Sequence, residues 1–145
     1  MELDRLSTGE RLVAASGTVL AFDLSFLPWH RFDLGIVVVP RTAVQWPFAL
    51  LGVPALLLTL AMVTLVTLGG ATEVVLPARL DRWRRHLYPA GVAVVVLLST
   101  KLLALTNPLG YGAFAGVALA ALLTYGAHLV RREAAGPATP PRQAG

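Results

Sequence analysis

The chain is 145 residues long, 56% hydrophobic and only 14% charged, with twelve Lys and Arg against eight Asp and Glu and a mean hydropathy of +0.69. A soluble globular domain carries about 25% charged residues, so the composition excludes an ordinary water-soluble fold and points to lipid as the main solvent. The length excludes several domains, and the absence of cysteine excludes a disulfide framework, a thiolate zinc site and thiol redox chemistry.

Crossing a hydrocarbon layer of roughly 30 Å takes about 20 mostly apolar helical residues. Four stretches qualify, near 12–28, 47–69, 88–107 and 111–130, which predicts an all-α fold, a four-transmembrane-helix bundle. The first stretch is the weakest, because it holds Asp23 and the small residues Ala14, Ala15, Ser16 and Gly17. A cleaved signal peptide is the competing reading. Against it stand the acids Glu2, Asp4 and Glu10 in the opening segment and bulky Leu27-Pro28-Trp29 where cleavage needs small residues, so the helix is expected to be retained.

Residues 30–45 form the one sizeable outer loop, and its run 35–40 is too short to span and rich in β-branched residues, which predicts a short hairpin. The second span opens at Trp46-Pro47, where proline suits a first helical turn, contains Pro54 and ends at Gly69-Gly70. In the following loop Leu80, Trp83 and Leu87 recur at helical spacing with arginines between them, the pattern of a short amphipathic turn on the cytoplasmic leaflet. The third span opens at Tyr88-Pro89 and stops at Asn107-Pro108. Asn107-Pro108-Leu109-Gly110 is turn chemistry, so helices three and four are expected to be antiparallel neighbours. Residues 1–133 make up the membrane domain, and 134–145, poor in large apolar groups, are expected to be a disordered cytoplasmic tail. The tail's low charge argues against a nucleic-acid arm, and no nucleic acid is expected as a partner.

Basic residues set the orientation. Nine lie at the N-terminus (Arg5, Arg11), in the middle loop (Arg79, Arg82, Arg84, Arg85) and in the tail (Arg131, Arg132, Arg142), against Arg31 and Arg41 on the other side. The positive-inside bias then places both termini in the cytoplasm of a multi-pass plasma-membrane protein. Trp29, Trp46 and Tyr111 fall at the outer boundary and Trp83, Tyr88 and Tyr125 near the inner one, as interfacial rings do. Arg79, Arg82, Arg84 and Arg85 are candidate contacts to anionic lipid, beside the plainer reading that they only set orientation.

Asp23 and Lys101 are the two residues that lipid tolerates least, since ionisable groups inside a membrane face the bundle interior or a partner. Each lies roughly 9 Å below the outer boundary at 1.5 Å per residue, which predicts an intramembrane ion pair. Such a pair is either a structural clasp or a proton or cation relay. Gly112, Gly116, Ala120 and Thr124 recur every four residues and form a small-residue face for close helix packing, within the chain or between copies. His30 and Asp33 are too few ligands for a metal, so no metal and no cofactor is expected. The sequence shows no Ser-His-Asp set, no phosphate-cradling loop and no facing carboxylates, and an enzyme is not expected.

The opening Leu6-Ser7-Thr8-Gly9-Glu10-Arg11, followed by a first span that closes on Phe26-Leu27-Pro28-Trp29, resembles a group of small four-helix integral membrane proteins of actinobacteria, as does the Ala, Val, Leu and Arg-rich composition. That resemblance implies the four-helix layout and carries no activity. The expected function is a non-catalytic accessory or scaffold subunit in the lipid bilayer, packing against a membrane-protein partner or as a homo-oligomer. The alternative is a small oligomeric proton- or cation-coupled transporter or channel that uses Asp23.

Overall fold

The computed structural model describes residues 3–46, 49–71, 82–104 and 109–136. A single 3-10 turn, Leu3–Arg5, leads to α1, Thr8–Phe26. Ser7 caps this helix: its hydroxyl accepts the Glu10 N–H while the Glu10 carboxylate accepts the Ser7 N–H at 3.0 Å, so two orphan donors of the first turn are satisfied reciprocally. The cap starts α1 earlier than the expected 12–28. Pro28 ends it, because the residue before a proline is pushed out of helical backbone, and Leu27 is extended with its N–H on the Asp23 carbonyl.

The expected hairpin forms. β1 (His30–Asp33) pairs antiparallel with β2 (Val38–Arg41) in the register His30↔Arg41 to Asp33↔Val38. Its turn uses Gly35 at φ +81°, a conformation that suits glycine, and Asp33 Oδ1 accepts the Gly35 N–H at 2.8 Å.

Three further helices follow: α2 (Ala49–Ala71), α3 (Trp83–Ala104) and α4 (Tyr111–Ala135). The expectation that the third helix opens at Pro89 is corrected, since it begins at Trp83 and carries Pro89 inside it. Proline deletes one helical hydrogen bond there, but burial of Trp83 and Leu87, one turn apart, outweighs that loss. The amphipathic turn expected at Leu80, Trp83 and Leu87 is therefore, from Trp83 on, the start of α3; Leu80 lies outside the described residues. α4 also outruns its expected end. Arg132 lies in its last turn, where a cation suits the helix dipole, and Gly136 closes it at φ +67°. Ala134 and Ala135, expected as tail, are thus helical, and 137–145 lie outside the described residues.

α1 packs on α2 and α4, and α3 packs on the same two, so the helices stand at the corners of a square with α1 diagonal to α3. Helices α3 and α4 are neighbours, as their short connection requires. Val13, Leu20 and Leu24 of α1 meet Met62 and Val66 of α2, Val94 and Leu98 of α3 and Leu123 of α4 in one apolar core. Outward, Phe22, Leu57, Leu60, Val96 and Leu122 are exposed, as on proteins whose outer solvent is lipid. α2, α3 and α4 are long and apolar enough to cross a membrane, the build of a multi-pass membrane protein. α1 carries Glu10, Arg11 and Asp23 within its 19 residues.

Candidate functional site

One end of the square carries the hairpin and the other carries the arginines; each has a polar cluster around a buried carboxylate, Asp23 or Glu10.

At the hairpin end, residues 28–30 are stitched down by backbone. Trp29 N–H donates to the Arg41 carbonyl at 2.8 Å, Gly110 N–H to the Trp29 carbonyl at 2.9 Å and Gly112 N–H to the Pro28 carbonyl at 3.2 Å, and His30 bridges to Leu109. This turns the Trp29 side chain back into the bundle, fully buried, where its indole Nε1–H donates to Asp23 Oδ2 at 2.9 Å. The ring lies on α4 where Gly116 has no side chain: a β-carbon there would collide with the Trp29 ring and come within 2.7 Å of Asp23 Oδ2. At Gly112 it would meet the Pro28 carbonyl at 2.9 Å. The small-residue face of α4 thus seats a ring and a chain reversal at Gly112 and Gly116, Ala120 is fully buried, and Thr124 contacts α3, its hydroxyl 3.0 Å from a β-carbon built on Gly91.

Lys101, buried in the last turn of α3, donates from Nζ to the Ala43 carbonyl at 2.8 Å. Gly52 of α2 leaves the room, since a β-carbon there would collide with that carbonyl. The expected pairing of Asp23 with Lys101 is therefore corrected. Equal depth does not bring them together, because each group is taken by another partner, an indole for the acid and a loop carbonyl for the amine. His30, fully buried, lies within the field of Lys101. Burial first, and the lysine charge second, push its imidazole from 6.5 down to about 4. Asp33, by contrast, is exposed and holds its own turn, so His30 and Asp33 do not converge. Among the described residues no three potential metal ligands cluster.

At the arginine end, Glu10 is buried and accepts from Arg84 of α3, with Nη2–Oε1 at 2.9 Å. Glu133 of α4 accepts from the Ser7 hydroxyl and, at 3.3 Å, from the Gly9 N–H; a carboxylate suits the positive end of α1. The first turn of α1 is thereby tied to its neighbour α4 and, across the diagonal, to α3. Of the candidate lipid contacts, Arg82, Arg84 and Arg85 are exposed at this end, while Arg79 lies outside the described residues. Arg84, Arg85, Tyr88 and Arg131 line an open groove of about 530 Å³.

Two rings expected at the interface, Trp29 and Trp83, are instead buried, Trp83 over Gly69 of α2, whereas Trp46, Tyr111 and Tyr125 are exposed. Glu10, Trp29 and Glu133 were not singled out by the residue pattern as binding or bridging groups, and His30 was weighed there only as a metal ligand with Asp33. Glu10 had a signal, the Ser-x-x-Glu capping box at Ser7-Thr8-Gly9-Glu10; Glu133 had none, since its partners are more than a hundred residues away in the chain. Compared with protein-family models, curated proteins and solved structures, the chain finds no match.

Proposed function

We propose that the chain is a non-catalytic accessory or scaffold subunit of the bacterial inner membrane, with all four helices spanning, both termini cytoplasmic, and its surface packed against another membrane protein. One observation carries this reading: the buried side chains of Asp23, Lys101 and Glu10 serve as ties between segments of the same chain. Asp23 holds Trp29, Lys101 holds the Ala43 loop, and Glu10 holds Ser7 and Arg84. Thr59, Thr67 and Thr124 bond carbonyls of their own helices, as threonines in spans commonly do. Groups committed in this way position helices instead of handling a substrate.

A second reading, a small oligomeric proton- or cation-coupled transporter, draws support from Asp23 Oδ1, which is buried and accepts no hydrogen bond among the described residues. A carboxylate oxygen with a spare lone pair inside a membrane protein is a place where a proton or cation can bind. Purification from the native membrane in mild detergent, with identification of everything that stays attached, separates the two. The scaffold reading expects one stoichiometric partner and no flux in proteoliposomes; proton or cation flux that vanishes in Asp23→Asn overturns it.

A further inference from the structure

We infer that the groove between the start of α3 and the end of α4 is a binding site for the phosphate of an anionic phospholipid headgroup. Four side chains carry the argument. Arg84 has its charge matched by buried Glu10 at 2.9 Å, which leaves Arg85 and Arg131 as the cations facing the groove together with Tyr88. The remaining described lining is proline and alanine, with no acid in it. The Arg131 guanidinium sits 5.7 Å from the centre of the Tyr88 ring, a cation–π contact that holds the arginine in place without using up its donors. Two guanidinium forks around one opening suit the planar, multidentate recognition of phosphate oxygens, and the 530 Å³ of space is roomy enough to admit the rest of a headgroup.

Depth in the fold selects a lipid as the source of that phosphate. Tyr88 stands at the point where α3 changes from Trp83-Arg84-Arg85-His86 to the apolar run that begins at Ala90, and Arg131 stands where the apolar run of α4 stops at Val130. Both boundaries fall at one level, at the end of the bundle where the basic residues collect. Opposite charge and the level of a headgroup layer therefore coincide at this groove. The site rests on the membrane reading of the helices, but not on the scaffold role or on the side that the groove faces.

The test uses the full chain purified in a neutral detergent. Phosphatidylglycerol and, separately, phosphatidylcholine are titrated in, and retained lipid is counted by native mass spectrometry. The expected result is selective retention of phosphatidylglycerol, weakened at least about tenfold in the Arg85→Gln/Arg131→Gln double variant and unchanged in Arg132→Gln, which removes a neighbouring exposed charge from outside the groove. Equal retention of the two lipids, or equal loss in Arg132→Gln, overturns the site. Inorganic phosphate is the competing arm: displacement of phosphatidylglycerol by phosphate at or below the lipid's own binding concentration overturns the lipid assignment in favour of a soluble anion. A thermal melt of each variant keeps unfolding from passing as lost binding, and if the double variant is unfolded, the single Arg131→Gln variant is expected to give an intermediate loss, with no loss overturning the site. None of these outcomes depends on a partner subunit, so failure here and failure of the scaffold reading remain distinct.

Discussion

Asp23 shows how far a single residue's environment is set by chain reversal and how little by depth. Its position in an apolar run announces a buried acid, and that much was legible; its partner was not, because the indole arrives from six residues further on only after Pro28 has turned the chain and Gly116 has made room. Trp29→Phe keeps the ring and deletes the donor, leaving the buried carboxylate without its hydrogen bond. The expected loss is about 1–3 kcal/mol, read as a lower unfolding midpoint in detergent micelles, and an unchanged midpoint would show that the bond contributes nothing. The exchange Asp23→Lys with Lys101→Asp is expected to recover none of the loss of either single variant, since the two sites have different partners; recovery would restore the ion pair. His30 supplies a pH dependence of definite sign. Its imidazole is pushed from 6.5 to about 4 in the folded chain, so between those values the unfolded chain binds the extra proton. This contribution to stability is fully present above pH 6.5 and is lost as pH falls toward 4, by up to about 3 kcal/mol. His30→Gln is expected to flatten that slope in unfolding midpoints taken across the interval, and an identical slope in the variant would assign the dependence to another group.

Elements were legible where apolar runs are long, and their ends were legible only where a local signal exists. The cores of α2, α3 and α4 lie within the expected stretches, and the hairpin follows from β-branched residues around a turn. The early start of α3 was hidden because a proline inside a helix reads locally as a start, whereas burial of Trp83 against Gly69 is a tertiary effect. The small-residue face of α4 is the instructive case. A Gly-x-x-x-Gly pattern states that something approaches closely; it does not say what, and here the object at Gly116 is an aromatic ring from the end of α1 with the acid behind it. Gly116→Ala therefore puts a methyl group into an occupied space. The expected cost is about 1–3 kcal/mol from overpacking, seen as a lower melting temperature together with changed tryptophan fluorescence as Trp29 shifts. If the face instead served contact between copies, Gly116→Ala would leave the monomer's melt unchanged and alter only the oligomer distribution.

At the scale of the whole molecule, the square of helices makes α1 the deciding element. Of the four it alone is not among those long and apolar enough to cross a membrane, yet it packs along both α2 and α4 and joins the two polar ends, with Glu10 in one cluster and Asp23 in the other. In the proposed four-span topology, a helix fixed at both ends between two long apolar neighbours would be carried across the layer they cross. Its outward side, with Val19, Phe22 and Phe26 exposed, is apolar enough to face acyl chains, while Glu10 and Asp23 point inward. Inward-turned acids are what a spanning α1 requires, and the proposed crossing is open to direct measurement, because a chain with no cysteine accepts single labels without background. Ile36→Cys at the hairpin tip, 96% exposed, is expected to react with a membrane-impermeant maleimide on spheroplasts. Thr8→Cys and Ala135→Cys, at the arginine end, are expected to react only once the membrane is opened. Reaction of Thr8→Cys and Ile36→Cys from the same side would mean that α1 does not cross, and labelling of Ala135→Cys from outside would invert the topology and move the basic end away from the cytoplasmic leaflet.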